Sequence, residues 1–306
     1  MFMRRTGTLR ATLALLALSA CVLPAAGQGT PEEIPCGPGL GLRLSSVDPK
    51  QGALVLVEVR SAAPLTELRA GWAGQALQFW PQGNPGNRHR ALVGVDLGRE
   101  PRTYPLSLSA AFRSGARVAC SALVTVREGG YRMERLRVAR RFTRLSKKNA
   151  ERARRESERL RAILGTVTPE RLWNGGFRMP LAGVEGAGNF GRRRVLNDEP
   201  RSPHGGEDFP APAGTAVHAA QRGRVVLAED LFFSGNTVVL DHGLGLFTYY
   251  AHLQSVAVKP GQLVEAGAVV GRVGATGRVT GAHLHWAARL HRARVNPLDL
   301  VTLLSE

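Results

Sequence analysis

Only three cysteines, Cys21, Cys36 and Cys120, occur in 306 residues, with no CxxC pair among them. A zinc site built from thiolates is thereby excluded, since it needs several cysteines close together. No GxSxG stretch is present, and Cys36 and Cys120 lie far from the histidine-rich C-terminal region, which disfavours a serine or cysteine nucleophile. Acidic residues are also scarce: 24 Asp and Glu face 41 Lys and Arg, giving a net charge of +17 and a pI near 11.2. Such an excess points to a polyanionic neighbour: nucleic acid, an anionic lipid surface or an anionic cell wall.

The N-terminus chooses among these. Met1-Phe2-Met3-Arg4-Arg5 is basic, Leu13-Ala14-Leu15-Leu16-Ala17-Leu18 is apolar but too short for an ordinary spanning helix, and small residues follow. Residues 1–27 therefore read as a signal peptide for the general secretory route, with an extracytoplasmic destination (periplasm, cell wall or medium). Nucleic acid is then not an expected partner. Leu18-Ser19-Ala20-Cys21 is similar to a bacterial lipobox, which would lipidate Cys21 and anchor the protein to a membrane; Ala25-Ala26-Gly27 suits ordinary cleavage, and both routes stay open. In an exported chain Cys36 and Cys120 make a natural disulfide pair, the alternative being two separate buried thiols.

From residue 31 to 130 short apolar or alternating runs are broken by turn residues. Leu54–Val59, Ala91–Val95, Tyr104–Leu108 and Ala122–Val126 read as strands; the pattern predicts an immunoglobulin-like β-sandwich with no catalytic constellation. His89, between Arg88 and Arg90, reads as a solvated loop residue. Residues 131–178 form a basic connector: between Tyr131 and Gly165 thirteen Lys or Arg face four Glu, a net +9. Ser146 to Leu164 lacks proline and glycine, and Ala150, Ala153, Ser157, Leu160 and Leu164 make a thin stripe, so a helix packed by one narrow face is expected there, stopping at Gly165. Its arginines could alternatively dock on anionic wall polymers or a membrane surface, an attraction that salt would weaken.

Residues 179–306 are glycine-rich and β-patterned again, predicting a compact antiparallel domain and a mainly β chain overall. His283 and His285, at i and i+2, share one face of a strand. His204 and Asp208, separated by two glycines and Glu207, suit a turn running into a strand. Imidazole nitrogen and carboxylate oxygen are good zinc ligands, and catalytic zinc keeps three protein ligands with one open position. His204, Asp208 and either His283 or His285 would make that set, leaving a histidine, or His252 after Tyr249-Tyr250, to move protons or hold an oxyanion.

These residues sit in ordered motifs. Phe190-Gly191-Arg192-Arg193-Arg194, His204-Gly205-Gly206-Glu207-Asp208-Phe209, Gly235–Gly243, Tyr250-Ala251-His252-Leu253 and Gly274–Trp286 with Val295-Asn296-Pro297-Leu298 follow one another over about 125 residues. In this the chain resembles the lysostaphin-type (LytM-like) zinc endopeptidases of peptidoglycan. The resemblance implies one Zn2+ held by His204, Asp208 and His285, with His283 and His252 catalytic, and hydrolysis of stem-peptide or cross-bridge bonds by zinc-activated water. Many relatives are degenerate and serve as wall-binding proteins or activators of other hydrolases; all five positions are filled here, which favours an enzyme. Glu207 departs from the family's small aliphatic residue, harmless if it points outward and able to perturb the metal if inward. His242, in an Asp-His-Gly turn, reads as structural, His218 as packing or surface, and His291, among Arg289, Arg292 and Arg294, as solvated.

Overall fold

The computed structural model describes residues 33–83, 87–137, 145–200 and 202–305; the signal-peptide and Cys21 expectations lie outside them. Two antiparallel sheets come first. Glu33–Pro35, Leu40–Leu44, Leu54–Ser61, Arg88–Gly94 and Trp80–Pro81 form one, in that spatial order; Gln75–Ala76, Leu65–Trp72, Thr103–Phe112 and Arg117–Thr125 form the other. Thr103–Phe112 starts with strict exposed–buried alternation, so its period of two delivers Tyr104, Leu106 and Leu108 to one face. There they meet Leu42, Leu44, Val57 and Val59 of the other sheet in a shared core. Cys36 and Cys120 are joined by a disulfide that ties the end of the first strand to the last. His89 is a correction: it is in the strand Arg88–Gly94, paired with Val59 and Pro81 and half-buried, because the ladder extends through the arginines flanking it.

The basic connector carries the expected helix, Lys147–Ile163, with Ser146 as N-cap accepting from Asn149 N at 3.2 Å. Its narrow face, with Ala153, Leu160, Ile163 and the following Leu164, is apolar, and the last three pack on Leu227, Leu231, Val239 and Phe247. The helix arginines stay largely exposed, yet several are paired. Arg152 pairs with Glu156 and Asp230, Arg159 with Glu229, and Arg154 with Glu151 and Glu158. Solvent and salt screen such exposed pairs, so they contribute little to stability.

Among the described residues, Met133–Leu136, Arg193–Leu196 and Glu199–Pro200 form a small three-stranded sheet, and the other nine strands build one sheet. Its main order is Glu207–Phe209, Leu284–Leu290, Leu246–Val256, Gly235–Gly243, Gly223–Leu231 and Leu263–Val264, and nearly all of its pairings position the site or bury Phe209, Tyr250 and Trp286 beneath it. In the strand Gly223–Leu231 the pairings Glu229↔Thr237 and Leu231↔Gly235 leave only Phe232, Phe233 and Ser234 as the turn.

The two halves share buried surface. Leu54, Trp80 and Leu92 of the first half enter the C-terminal core, Trp80 meeting Trp173 edge-on at 5.3 Å. Asp96 accepts from Arg294 N, Nε and Nη2 at 2.8, 3.0 and 2.7 Å. Asp299, in the first turn of the helix Pro297–Leu303, accepts from Leu54 N at 2.9 Å. Burial pushes the Asp299 carboxyl up to about 6 despite that bond. An acid with a raised folded-state pKa binds more protons folded than unfolded, so it costs stability progressively as pH rises from about 4 to 6. Asp299→Asn keeps the acceptor and removes the charge. Thermal melts should show it more stable than the parent by about 1–3 kcal/mol at pH 7.5, with no gain near pH 4; an equal gain at both pH values would refute the account.

Candidate active site

Register brings the site together. In the strand Leu284–Leu290, His285 lies opposite Asp208 on one side and Ala251 on the other. One imidazole is thereby placed between the HGGED stretch and the Tyr-Ala-His stretch, although they are separated by more than forty residues of chain. His283 forms an isolated bridge with Gly274 just before that strand begins. Gly206 has a steric duty here: a Cβ on it would fall 2.6 Å from Trp286 O and 2.7 Å from His285 Cε1. Only glycine lets the loop carrying His204 lie so close to the His285 ring.

Three potential ligand atoms converge. His204 Nε2 to His285 Nδ1 is 3.0 Å, His285 Nδ1 to Asp208 Oδ1 is 2.8 Å, and His204 Nε2 to Asp208 Oδ1 is 3.2 Å. Tetrahedral ligands at about 2.0–2.1 Å from zinc stand about 3.3 Å apart, so this triangle fits such an ion after a small expansion. Two imidazoles and one carboxylate are also the right donor chemistry. The side chains of His204, Asp208, His283 and His285 are 16–21 % exposed, enough for a substrate to reach the cluster from one side. Burial would raise the Asp208 carboxyl, but its bonds to His204 and His285 outweigh that and hold it well below the ordinary carboxylate range. Burial lowers His285, against the opposing pull of Asp208.

The other two histidines flank the triangle. His283 Nε2 is 3.7 Å from Asp208 Oδ1, and the His252 ring lies 4.8 Å from that of His283, tilted by 51°. Their tautomers follow from their partners, since a carbonyl can only accept. His283 Nδ1 donates to Gly281 O and His252 Nδ1 to Thr276 O, both at 3.0 Å, so each keeps Nε2 as a lone-pair nitrogen. Burial, then the neighbouring His285, pushes His252 down to about 4. His252 also has φ +61°, a left-handed conformation costly for a non-glycine residue, and its N–H donates to Ser234 O at 2.8 Å.

All five residues singled out from the sequence thus meet in one place. The remaining histidines stay away from the ligand triangle. His242 is fully buried within the strand Gly235–Gly243 rather than in a turn; its Nδ1 donates to Arg222 O at 2.8 Å and burial pushes it down to about 4. His218 Nδ1 donates to Gly267 O at 2.9 Å. His291 is half-buried rather than solvated, held at φ +47° with its ring against Gly245.

Glu207 points away from the triangle and is buried, accepting from the backbone N–H groups of Gly188, Asn189 and Phe190. Asn189 escaped the sequence reading altogether. Its Nδ2 donates to Asp208 Oδ2 at 2.8 Å, its Oδ1 accepts from Asp208 N at 3.1 Å, and its carbonyl accepts from His204 Nδ1 at 3.0 Å. An amide fifteen residues before His204 has no spacing that would mark it; only its place beside the Phe190 motif could have drawn attention.

The family model for peptidase family M23 matches residues 202–297, which contain the whole cluster. A crystal structure from Pseudomonas aeruginosa assigned to peptidase M23 superposes with a TM-score of 0.62 at 30% identity, covering 83% of this chain and 95% of that one. The chain belongs to peptidase family M23. The lysostaphin-type resemblance of its motifs is thereby upheld. Among curated relatives, this M23 chain is 41% identical over 111 residues to the peptidoglycan DD-endopeptidase ShyA of Vibrio cholerae, a match covering 36% of the chain and 26% of that protein. The DD-carboxypeptidase/endopeptidase Mpg of Neisseria meningitidis is 38% identical over 127 residues, covering 41% of the chain and 29% of Mpg. The chain therefore spans under a third of the length of these curated relatives.

Proposed function

We propose that this chain is an extracytoplasmic zinc endopeptidase that hydrolyses peptide bonds in peptidoglycan stem peptides or cross-bridges. The convergence of His204 Nε2, Asp208 Oδ1 and His285 Nδ1 within 3.2 Å of one another carries the reading. The names of the curated relatives supply the substrate class. The two-sheet first half, residues 31–130, which we read as immunoglobulin-like, would be a spacer or interaction module, 131–178 a connector and 179–306 the peptidase. The excess positive charge suits anionic wall polymers, more through the chain as a whole than through the connector helix, whose arginines are largely engaged.

His204, Asp208 and His285 would hold the metal. When bound, zinc would polarise the scissile carbonyl and make a water molecule far more acidic. The residues do the rest. His283, held by Gly281 O, presents Nε2 beside the ligand triangle, where it can take a proton from water and later deliver it to the leaving amine. His252, held by Thr276 O, presents a second acceptor nitrogen across the His283 ring, where it can accept a hydrogen bond from the attacking water and help orient it.

The test is digestion of purified sacculi by the zinc-loaded protein, with mass spectrometry of the soluble muropeptides. New peptide amines are expected, lost on treatment with a chelator and restored by zinc. Release that survives His204→Ala would sink the proposal. No release by a protein that does bind zinc and sacculi would instead favour a silent wall-binding protein or an activator of another hydrolase.

A further inference from the structure

Glu207 occupies a place where a charged side chain is hard to keep: it is 1 % exposed, on the strand that carries Asp208 but facing the other way. A buried carboxyl is tolerable only if its oxygens are hydrogen-bonded. Here three successive backbone N–H groups close on it, Oε1 accepting from Gly188 and from Asn189 at 3.3 Å, Oε2 from Phe190 at 3.1 Å. Consecutive amides converging on one acceptor form an anion-binding nest, made possible by the left-handed Gly188 at φ +62°. Gly186 leaves room for the carboxyl, since a Cβ there would fall 2.7 Å from Glu207 Cγ.

The nest clamps the segment that holds two of the three ligands. Asn189 Nδ2 occupies Asp208 Oδ2, which leaves Oδ1 as the atom in the triangle; the Asn189 carbonyl binds His204 Nδ1, which turns Nε2 inward. Ala187 N donates to Asp208 O and Gly191 N to His204 O, both at 2.8 Å, so the two segments are zipped along their length. We propose that Glu207 and Asn189 are a positioning pair: Glu207 gathers the 188–190 amides so that Asn189 presents Asp208 and His204 in metal-ready geometry. The inference rests on reading His204, Asp208 and His285 as the metal ligands. It answers what a glutamate does where the resemblance places a small aliphatic residue.

The two side chains act unequally. The side chain of Asn189 reaches Asp208 alone, whereas Glu207 supports the backbone that reaches both ligands. The experiment compares Asn189→Ala, Glu207→Gln, Glu207→Ala, the double Asn189→Ala/Glu207→Ala and His204→Ala in the full chain. Zinc affinity is read by competition with a chromogenic chelator, and folding by circular dichroism and melts of the metal-free proteins. Loss of a group that orients a ligand costs about 10- to 100-fold in metal affinity. Asn189→Ala should fall in that range, Glu207→Ala at least as low, Glu207→Gln between it and the parent, and the double no lower than Glu207→Ala alone. Folded Asn189→Ala and Glu207→Gln proteins with parental zinc affinity would overturn the proposal, and so would losses that simply add in the double. If Glu207→Ala does not fold, Asn189→Ala and Glu207→Gln decide. Parental zinc affinity in His204→Ala would overturn the ligand reading itself, and this proposal with it; zinc lost there but kept in the others overturns the positioning pair alone.

Discussion

His285→Ala should empty the metal site, whereas His283→Ala should leave zinc bound and still abolish hydrolysis. The two imidazoles are separated by one residue and share a strand face, yet their surroundings differ. His285 Nδ1 lies in the ligand triangle, 2.8 Å from Asp208 Oδ1, in a ring packed on Gly206. His283 Nε2 stands 3.7 Å off the same oxygen, and its other nitrogen is spent on Gly281 O. Loss of His285 should lower zinc affinity by more than about 100-fold, beyond the cost of losing an outer partner. Loss of His283 should lower kcat by about 10²- to 10⁴-fold, the usual worth of a positioned acid–base group, with zinc content unchanged. Metal analysis of both purified variants, paired with muropeptide release, checks the division; zinc lost from His283→Ala and retained by His285→Ala would reverse it. His252→Gly belongs in the same series. Glycine accepts φ +61° without strain, so this variant removes the ring while relieving the backbone, and lost activity in a His252→Gly protein that circular dichroism shows to be folded would report the ring itself.

Much of the fold was legible in local pattern. The alternation in Thr103–Phe112 and the stripe of Lys147–Ile163 are short-range signals, and both elements formed where their residues predict. That His204, Asp208 and the His283/His285 pair would cluster was legible for another reason: metal chemistry restricts residue type and spacing narrowly, although spacing alone left the third proposed ligand open between His283 and His285. Partner choice over long distances was not legible. Nothing local in Arg152 or Arg159 says that Asp230 and Glu229, more than seventy residues later in the first case, will receive them. His89 and His291 misled because arginine neighbours suggest solvent, while strand pairing and a tight left-handed turn half-buried them instead. Glu207 could have faced either way, since the strand's period of two puts it opposite Asp208 but does not say what fills that side. The answer lay in the amides of residues 188–190, supplied by a loop with no regular structure.

Asp96→Ala should be among the most damaging single changes outside the active site. Asp96 receives three hydrogen bonds from Arg294 and one from Gly98 N at 2.7 Å, across the seam between the two halves of the chain. Behind Arg294 stands a second guanidinium, Arg289, which burial pushes down to about 10 and whose Nη1 donates to Gly205 O at 2.8 Å in the ligand loop. Arg294 opposes the charge on Arg289 and Asp96 favours it, so the carboxylate compensates both cations. Removing it leaves two like charges together beneath the His204 loop. Breaking one side of a buried pair costs about 3–5 kcal/mol; with Asp96 and Arg294 each still a quarter exposed, about 2–4 kcal/mol is expected. At about 2–4 °C per kcal/mol for a chain of this size, the melting temperature should fall by about 5–15 °C. Burial would raise the Asp96 carboxyl, but the Arg294 bonds outweigh it and hold it down to about 2. An acid depressed on folding contributes fully above its unfolded value near 4 and loses that contribution as pH falls toward 2. Melts of the parent and Asp96→Ala should therefore differ most at neutral pH and converge between about pH 4 and 2. A gap that persists undiminished at pH 2 would mean that packing, not charge, is what Asp96 contributes to the seam.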